Sequence, residues 1–344
     1  MNIKTAGIDL AKNVFQVCVL RDDGSIKWNR KVARSKLLHV IRQFPEGTVI
    51  AMEACASAHH WGRTLLEMGF KPLLLPAQAV KPFTHHQKND VNDALAICEA
   101  AQRPSIHAVS VKSTEQQDIK ALRCVRSRRV EQRTATSNQI RALAMEYGVV
   151  FPQGITTLLE AVPDAIAEPT NGLTATMRSL LAGLADDIRL LNGDIEELSC
   201  QIAALCKQQD SYQSLLEVPG FGPICAAALI SEVGDGKQFQ NGRQLSAWCG
   251  LIPSQHSSGG KSKLGAITKH GNKDLRVLLI HGARAVIRFI DKRDDPLGSW
   301  VRQLIERRGK HKATVALANK LARISWCILS KGCRFDASLA FVKA

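Results

Sequence analysis

The chain opens on short apolar runs broken by turn residues. Thr5 to Leu10 and Val14 to Leu20 are apolar and partly β-branched, and Asp22-Asp23-Gly24-Ser25 separates them from a run that resumes at Ile26. That pattern predicts a hairpin and a third strand over 26–32. A helix is predicted over 35–44, capped by Ser35 and closed by Pro45-Glu46-Gly47. An apolar strand over 48–53, a helix over 61–68 ending at Gly69, and a strand over 72–75 follow. Three strands, then helix, strand, helix, strand, is an α/β plan on a mixed sheet.

Beyond residue 110 the period becomes helical. Over 111–147, Ile119, Leu122, Val125, Val130, Ile140 and Leu143 would pack inward. Pro152, Pro163 and Pro169 interrupt the pattern and mark 151–172 as a connector. From Met177 to Leu205 apolar residues alternate spacings of four and three, a heptad seam about four repeats long. Such a coiled coil either dimerises or folds back on the 111–147 helix. Assembly is the favoured role, although Gly183 and Gly193 weaken a free-standing zipper.

The last third begins with the turn Pro219-Gly220-Phe221-Gly222 ahead of a small apolar helix over 225–233. It resembles a helix-hairpin-helix segment, which grips the DNA backbone, and a plain turn explains it equally well. Trp248 to Lys263 reads by itself as a polar linker. A helix over 273–290 groups Arg276, Arg284 and Arg288, and a final helix over 311–329 buries Leu317, Leu321, Ile324 and Ile328. The resulting division is 1–110, 111–210 and 211–344.

Charge sharpens this division. The formal net charge is +15, made of +5 over 1–110, −2 over 111–210 and +12 over 211–344. A basic excess mixed into apolar sequence implies a polyanionic partner, nucleic acid before membrane. No apolar run approaches the roughly 20 residues of a membrane span. The ten cysteines include no CxxC pair, and the closest spacings, Cys200 to Cys206 and Cys327 to Cys333, match no common zinc pattern. They read as small buried hydrophobes of a cytosolic protein. The helix over 111–147 carries Lys112, Lys120, Arg123, Arg126, Arg128, Arg129, Arg133 and Arg141, which makes it a candidate phosphate contact.

Carboxylates supply the candidate chemistry. Asp9 and Glu53 each end an apolar strand, where an acid is disfavoured without a partner. Asp90 and Asp93 share one face of the first turn of a helix capped by Asn89. Acids in a first turn also complement a helix dipole, and a strand-end acid can be harmless. Together, four carboxylates from separate elements repel unless cations bind between them. Two Mg2+ ions about 4 Å apart suit them and suit phosphodiester cleavage, with Mn2+ able to substitute. The histidine pairs His59-His60 and His85-His86 lie near Glu53 and Asp90 in sequence and are secondary candidates for the site.

This order of elements and acids resembles the ribonuclease H/RuvC fold of junction resolvases. The likeness narrows with Gly7-Ile8-Asp9, Met52-Glu53-Ala54, Asn89-Asp90-Val91-Asn92-Asp93-Ala94, Val218-Pro219-Gly220-Phe221-Gly222 and Gly250-Leu251-Ile252-Pro253 leading through Ser258-Gly259 to His270-Gly271-Asn272. Across nearly the whole chain these resemble the DEDD transposases of bacterial insertion sequences, a family that includes pilin-gene-inverting recombinases. The resemblance implies a RuvC-like catalytic domain, long coiled-coil helices and a mainly α C-terminal transposase domain. It implies that Asp9, Glu53, Asp90 and Asp93 bind Mg2+ and that Ser258 attacks the phosphodiester, forming a covalent phosphoserine. Ser257 stands directly before the matching serine. The resemblance also implies double-stranded donor and target DNA, a structured non-coding guide RNA, a dimeric or tetrameric assembly, and a bacterial cytoplasmic, nucleoid-associated location without membrane contact. A metal-only RuvC-like junction nuclease, with Ser258 an ordinary loop residue, is the alternative enzyme. A non-catalytic nucleic-acid-binding protein is the alternative outside enzymes.

Overall fold

The computed structural model describes residues 3–84, 87 and 89–341, and divides into two compact units, Met1–Thr114 and Glu115–Ala344. In the first, β1 (Ile3–Asp9), β2 (Val14–Arg21) and β3 (Ile26–Ala33) form an antiparallel meander. Helix α1 (Leu37–Ile41) leads to β4 (Val49–Glu53), and α2 (Ala58–Glu67) leads to β5 (Lys71–Leu75). Both later strands run parallel to β1, in the sheet order β3-β2-β1-β4-β5. After the short α3 (Ala77–Val80), α4 (Asp90–Ala101) closes the unit. The mixed sheet is as the apolar runs predict. Ser35 makes no cap: it sits inside a 3-10 turn over Arg34–Lys36, ahead of an α1 of only five residues.

Strand alternation assigns the two faces. Ala6, Ile8, Phe15, Val17, Val19, Ile50 and Met52 pack with α1 and α2. Cys18, Leu20, Ala51 and Leu75 face the other way, toward α4. Because β2 is buried on both faces, its apolar run is almost unbroken. Helix α4 lies directly on β1 because Gly7 has no side chain. A Cβ there would stand 2.6 Å from Cys98 Sγ and 2.7 Å from the Ala94 carbonyl oxygen. Gly7→Ala is therefore expected to lower stability by about 2 kcal/mol and to lift α4 from the sheet. Urea unfolding checks the first effect, and amide exchange in α4 the second.

The second unit is helical apart from one hairpin. It comprises α5 (Thr114–Met145), α6 (Ile155–Ala167), α7 (Ala175–Cys206), α8 (Ser211–Leu216), α9 (Pro223–Val233) and α10 (Gly242–Trp248). The strands β6 (Pro253–Ser258) and β7 (Lys261–Ile267) follow, then α11 (Lys273–Arg288), α12 (Pro296–Arg308), α13 (Lys310–Lys331) and α14 (Ala337–Ala340). Its main core gathers around α9, whose Ala226, Ala227, Ala228 and Leu229 are all fully buried.

Four expectations change here. The 151–172 connector contains α6, which carries Pro163 inside it because Leu158 and Val162 bury against a core shared with α7. Local breaking tendency loses to tertiary packing. The heptad helix α7 folds back antiparallel to α5 within the chain. Its first half packs with α6 and the end of α5, while Ile202 and Cys206 join the main core. Between these, Arg126 donates to Ser199 Oγ at 2.7 Å, Arg129 pairs with Asp194 at 3.2 Å and Arg133 donates to Asn192 Oδ1 at 2.9 Å.

Most of the α5 cations have partners within the chain. Lys120 and Arg123 meet Glu232, and Arg141 donates to the carbonyls of Pro152 and Gly154. Net charge counts cations but does not say which way they face. Arg276 likewise leaves the basic surface. It is 9% exposed and donates to the carbonyl oxygens of Cys249 and His270, at 3.0 Å each, while Arg284 and Arg288 stay exposed. At the Pro219–Gly222 turn, the Gly220 position is explained by packing: its φ is +89°, and a Cβ would stand 2.5 Å from the Gly282 carbonyl oxygen in α11.

Candidate active site

Register brings the first two carboxylates together. Ile8 of β1 pairs with Met52 of β4, so Asp9 and Glu53, the next residue of each strand, end neighbouring parallel strands side by side. Both follow a residue of the α1/α2 face and therefore turn toward the α4 face. Cys55 senses both: burial first, then the charges of Glu53 and Asp9, push its thiol above the usual range. Replacing Asp9 by Asn removes one of those charges, lowers the thiol pKa and increases the thiolate present at pH 8. Alkylation of Cys55 is then expected to accelerate about two- to three-fold. Peptide mapping separates it from Cys124, Cys200 and Cys333, the other exposed thiols.

Helix α4 begins above this end of the sheet. Asn89 caps it, its Oδ1 accepting from Asn92 N at 2.8 Å, which fixes the first turn that carries Asp90 and Asp93. Asp93 lies one turn before Ile97, which packs with Ala51 and Leu75 of β4 and β5. It therefore stands on the side of α4 toward Glu53. Asp90 lies one turn before Ala94, which packs with Cys18 and Leu20 of β2. It is engaged with Lys31 of β3 at 3.7 Å, both side chains well exposed. Among the described residues, no three His, Cys, Asp or Glu side chains stand close enough to hold a metal ion.

A polar row continues across the sheet from Asp9. Gln16 pairs with Asp9, and Lys31 with Gln16. Gln16 is only 4% exposed, and its Nε2 donates to Asn29 Oδ1 at 2.7 Å. Asn29 Nδ2 in turn donates to the Val91 carbonyl oxygen at 2.9 Å, tying the sheet to the turn that holds Asp90 and Asp93. The Oε1 of Gln16 is buried and has no hydrogen-bond partner among the described residues. An orphaned buried oxygen on the residue paired with Asp9 is a hard donor, of the kind that suits a divalent cation better than a soft one. His59 is not part of it: its Nδ1 accepts from Lys112 N at 3.2 Å. His85 and His86 fall outside the described residues.

The second unit presents Ser258 on a hairpin where a polar linker is expected. Gly259 and Gly260, with φ of +55° and +76°, make a two-residue turn, and Ser258 pairs directly with Lys261. Nearly all of the hairpin is exposed, so no buried face announces it in the sequence. Ser257 and Ser258 point to opposite faces. Ser257 Oγ accepts from Gln255 Nε2 at 2.7 Å, whereas the Ser258 hydroxyl makes no hydrogen bond among the described residues. His256 pairs with Lys263, so His256, Lys261 and Lys263 share the face of Ser258.

Residues 6–148 match a transposase family model of the DEDD type, and residues 212–296 match the transposase IS116/IS110/IS902 family. Over 335 residues, 96% of this chain and 90% of the relative, the sequence is 43% identical to the transposase for insertion sequence element IS1111A of Coxiella burnetii. It is 35% identical to the transposase for IS1328 of Yersinia enterocolitica over 337 residues, 97% of this chain and 99% of that one. The chain belongs to the IS110 family of transposases. A pilin gene-inverting protein of Moraxella lacunata is 31% identical over 158 residues, 44% of this chain and 48% of the relative.

As an IS110-family transposase, the chain acts in DNA recombination, and no helix among its described residues is long and apolar enough to cross a membrane. Sequence reasoning missed Gln16, Asn29 and the cationic face around Ser258. Gln16 carries a visible signal, a lone amide inside the apolar run Val14–Leu20. Asn29 carries none, because β3 is polar along most of its length.

Proposed function

We propose that this IS110-family transposase cuts and rejoins DNA through Ser258, with Asp9, Glu53, Asp90 and Asp93 holding divalent cations beside the reacting phosphate. The observation that carries the reading is the side-by-side placement of Asp9 and Glu53 at the end of the sheet on which α4 starts. The sheet order, three antiparallel strands with two parallel additions, supports a RuvC-like assignment. Mg2+, with Mn2+ as substitute, suits the oxygen donors, and when bound would polarise the phosphodiester and lower the pKa of a nearby hydroxyl. Asp90 must leave Lys31 to join the set. An exposed pair of this kind contributes less than about 1 kcal/mol, so it is no obstacle.

The chain's own part is nucleophilic. Ser258 Oγ attacks a backbone phosphorus and loses its proton, one phosphorus–oxygen ester bond breaks, and the displaced sugar hydroxyl takes up a proton. The strand end stays on the protein as a phosphoserine diester. Attack on it by the hydroxyl of another strand reverses these bond changes and reseals DNA without an outside energy source. Lys261 and Lys263 would hold the phosphate's negative charge on Ser258's face. Guidance by a structured non-coding RNA rests on the family likeness, and would assign sequence choice to base pairing. Assembly into a dimer or tetramer, including coiled-coil contacts along α7, rests on the family likeness. The protein would act on donor and target DNA in the bacterial cytoplasm, at the nucleoid.

The test is a denaturing gel of the full chain incubated with Mg2+, end-labelled DNA of its own element ends and co-expressed RNA. A protein–DNA adduct that maps to Ser258 by mass supports the reading. Cleavage without any adduct at that residue overturns it.

A further inference from the structure

A second basic site lies in the helical unit, outside the hairpin. Helix α10 lies flush on α13, because a Cβ at Gly242 would stand 2.9 Å from the Cα of Arg323. Gly332, in the left-handed conformation at φ +64°, ends α13 and turns the chain so that residues 333–340 return along the same side. These three segments enclose a cavity of about 560 Å3. Its walls include Ile324, Trp326, Ile328, Phe335 and Leu339. Trp326 is held rigidly, its indole N–H donating to the carbonyl oxygens of Gly236 and Phe239 at 3.1 Å each.

Four cations line the same cavity: Arg243, Lys320, Arg323 and Arg334. None makes an ion pair among the described residues. Asp336, the one lining carboxylate, is committed to capping α14 through the backbone N–H groups of Ser338 and Leu339. Burial and the neighbouring Arg323 charge both push the Lys320 ammonium down, as a cluster with an excess of positive charge should. Like charges gathered around an apolar floor are unfavourable until an anion joins them. The anion must also have an apolar, flat body to cover the floor. A free phosphate lacks one, and a duplex keeps its bases stacked inside. An unstacked nucleotide has both parts, and the cavity lies within the roughly 300–1,000 Å3 typical of ligand sites.

We propose that this cavity receives a single unstacked nucleotide of a DNA or RNA strand, the base lying against the Phe335 side and its flanking phosphates on Arg243, Lys320, Arg323 and Arg334. The site is independent of the cleavage chemistry, so Ser258→Ala leaves it intact.

Fluorescence anisotropy of the full chain with three ten-residue probes tests it: oligothymidylate, oligouridylate and an abasic phosphodiester. One or both base-bearing probes are expected to bind about 10-fold tighter than the abasic one. The tighter of the two tells DNA from RNA as the source. Phe335→Ala should erase the advantage of the base, and Arg334→Gln should weaken binding and reduce its salt dependence. Leu339→Asp provides a variant at a side chain 78% exposed, where folding is not at risk, and should repel every probe. Equal binding of all three probes by the unaltered chain overturns the proposal. So does a base preference that survives both Phe335→Ala and Leu339→Asp in folded protein.

Discussion

Asp9→Asn is expected to reduce DNA strand cleavage at least about 10³-fold, with folding intact. The amide keeps the shape of the side chain and removes its charge. Asp9 ends β1 with Glu53 beside it and Gln16 paired across from it, so its loss takes the central donor from the row. Stability should hold, because the substitution relieves repulsion between neighbouring carboxylates and leaves the Ile8–Met52 register untouched. Cleavage assays with Mg2+ and Mn2+, alongside a thermal melt, separate the two effects. Undiminished cutting by a folded Asp9→Asn chain, and by Asp90→Asn, would place the carboxylates in a structural role and favour a binding protein.

The second large effect separates two adjacent hydroxyls. Ser258→Ala should abolish the covalent adduct, while Ser257→Ala keeps most of it. The hairpin is the reason: alternation points the two side chains to opposite faces, and Ser257 is already engaged by Gln255. Only Ser258 faces the Lys261 and Lys263 side. The loss should exceed about 10³-fold, since no other nucleophile shares the position. Cleavage that persists without an adduct in Ser258→Ala would identify a metal-only nuclease. An adduct lost equally in both variants would point instead to collapse of the hairpin, which circular dichroism cannot see but proteolysis at Gly259-Gly260 can.

How far the sequence could be read depended on how each element is buried. The sheet was legible because strands with a buried face write that face as a period, and β2, buried on both sides, writes a run broken only by Gln16. Asp9, Glu53, Asp90 and Asp93 stood out because acids at the ends of apolar segments are conspicuous. What the pattern could not show is direction. It did not reveal that Asp90 meets Lys31, nor that Arg126, Arg129 and Arg133 turn inward to α7. The β6–β7 hairpin was invisible for the opposite reason: with nearly every side chain in water, its register is set by a Gly-Gly turn alone. Pro163 misled because a rule about local chain stiffness was applied to a helix held by its neighbours.

The seating of α4 on Gly7 has one further consequence. The Cys98 thiol together with the main chain at Ala94 and Cys98, all pressed against residue 7, set the gap between the strand that ends in Asp9 and the helix that starts with Asp90. Drift among the large residues packed with α1 and α2 on the opposite side can therefore proceed with little effect on the acidic end. A side chain at residue 7, by contrast, would press on α4 itself and shift the acidic end with it.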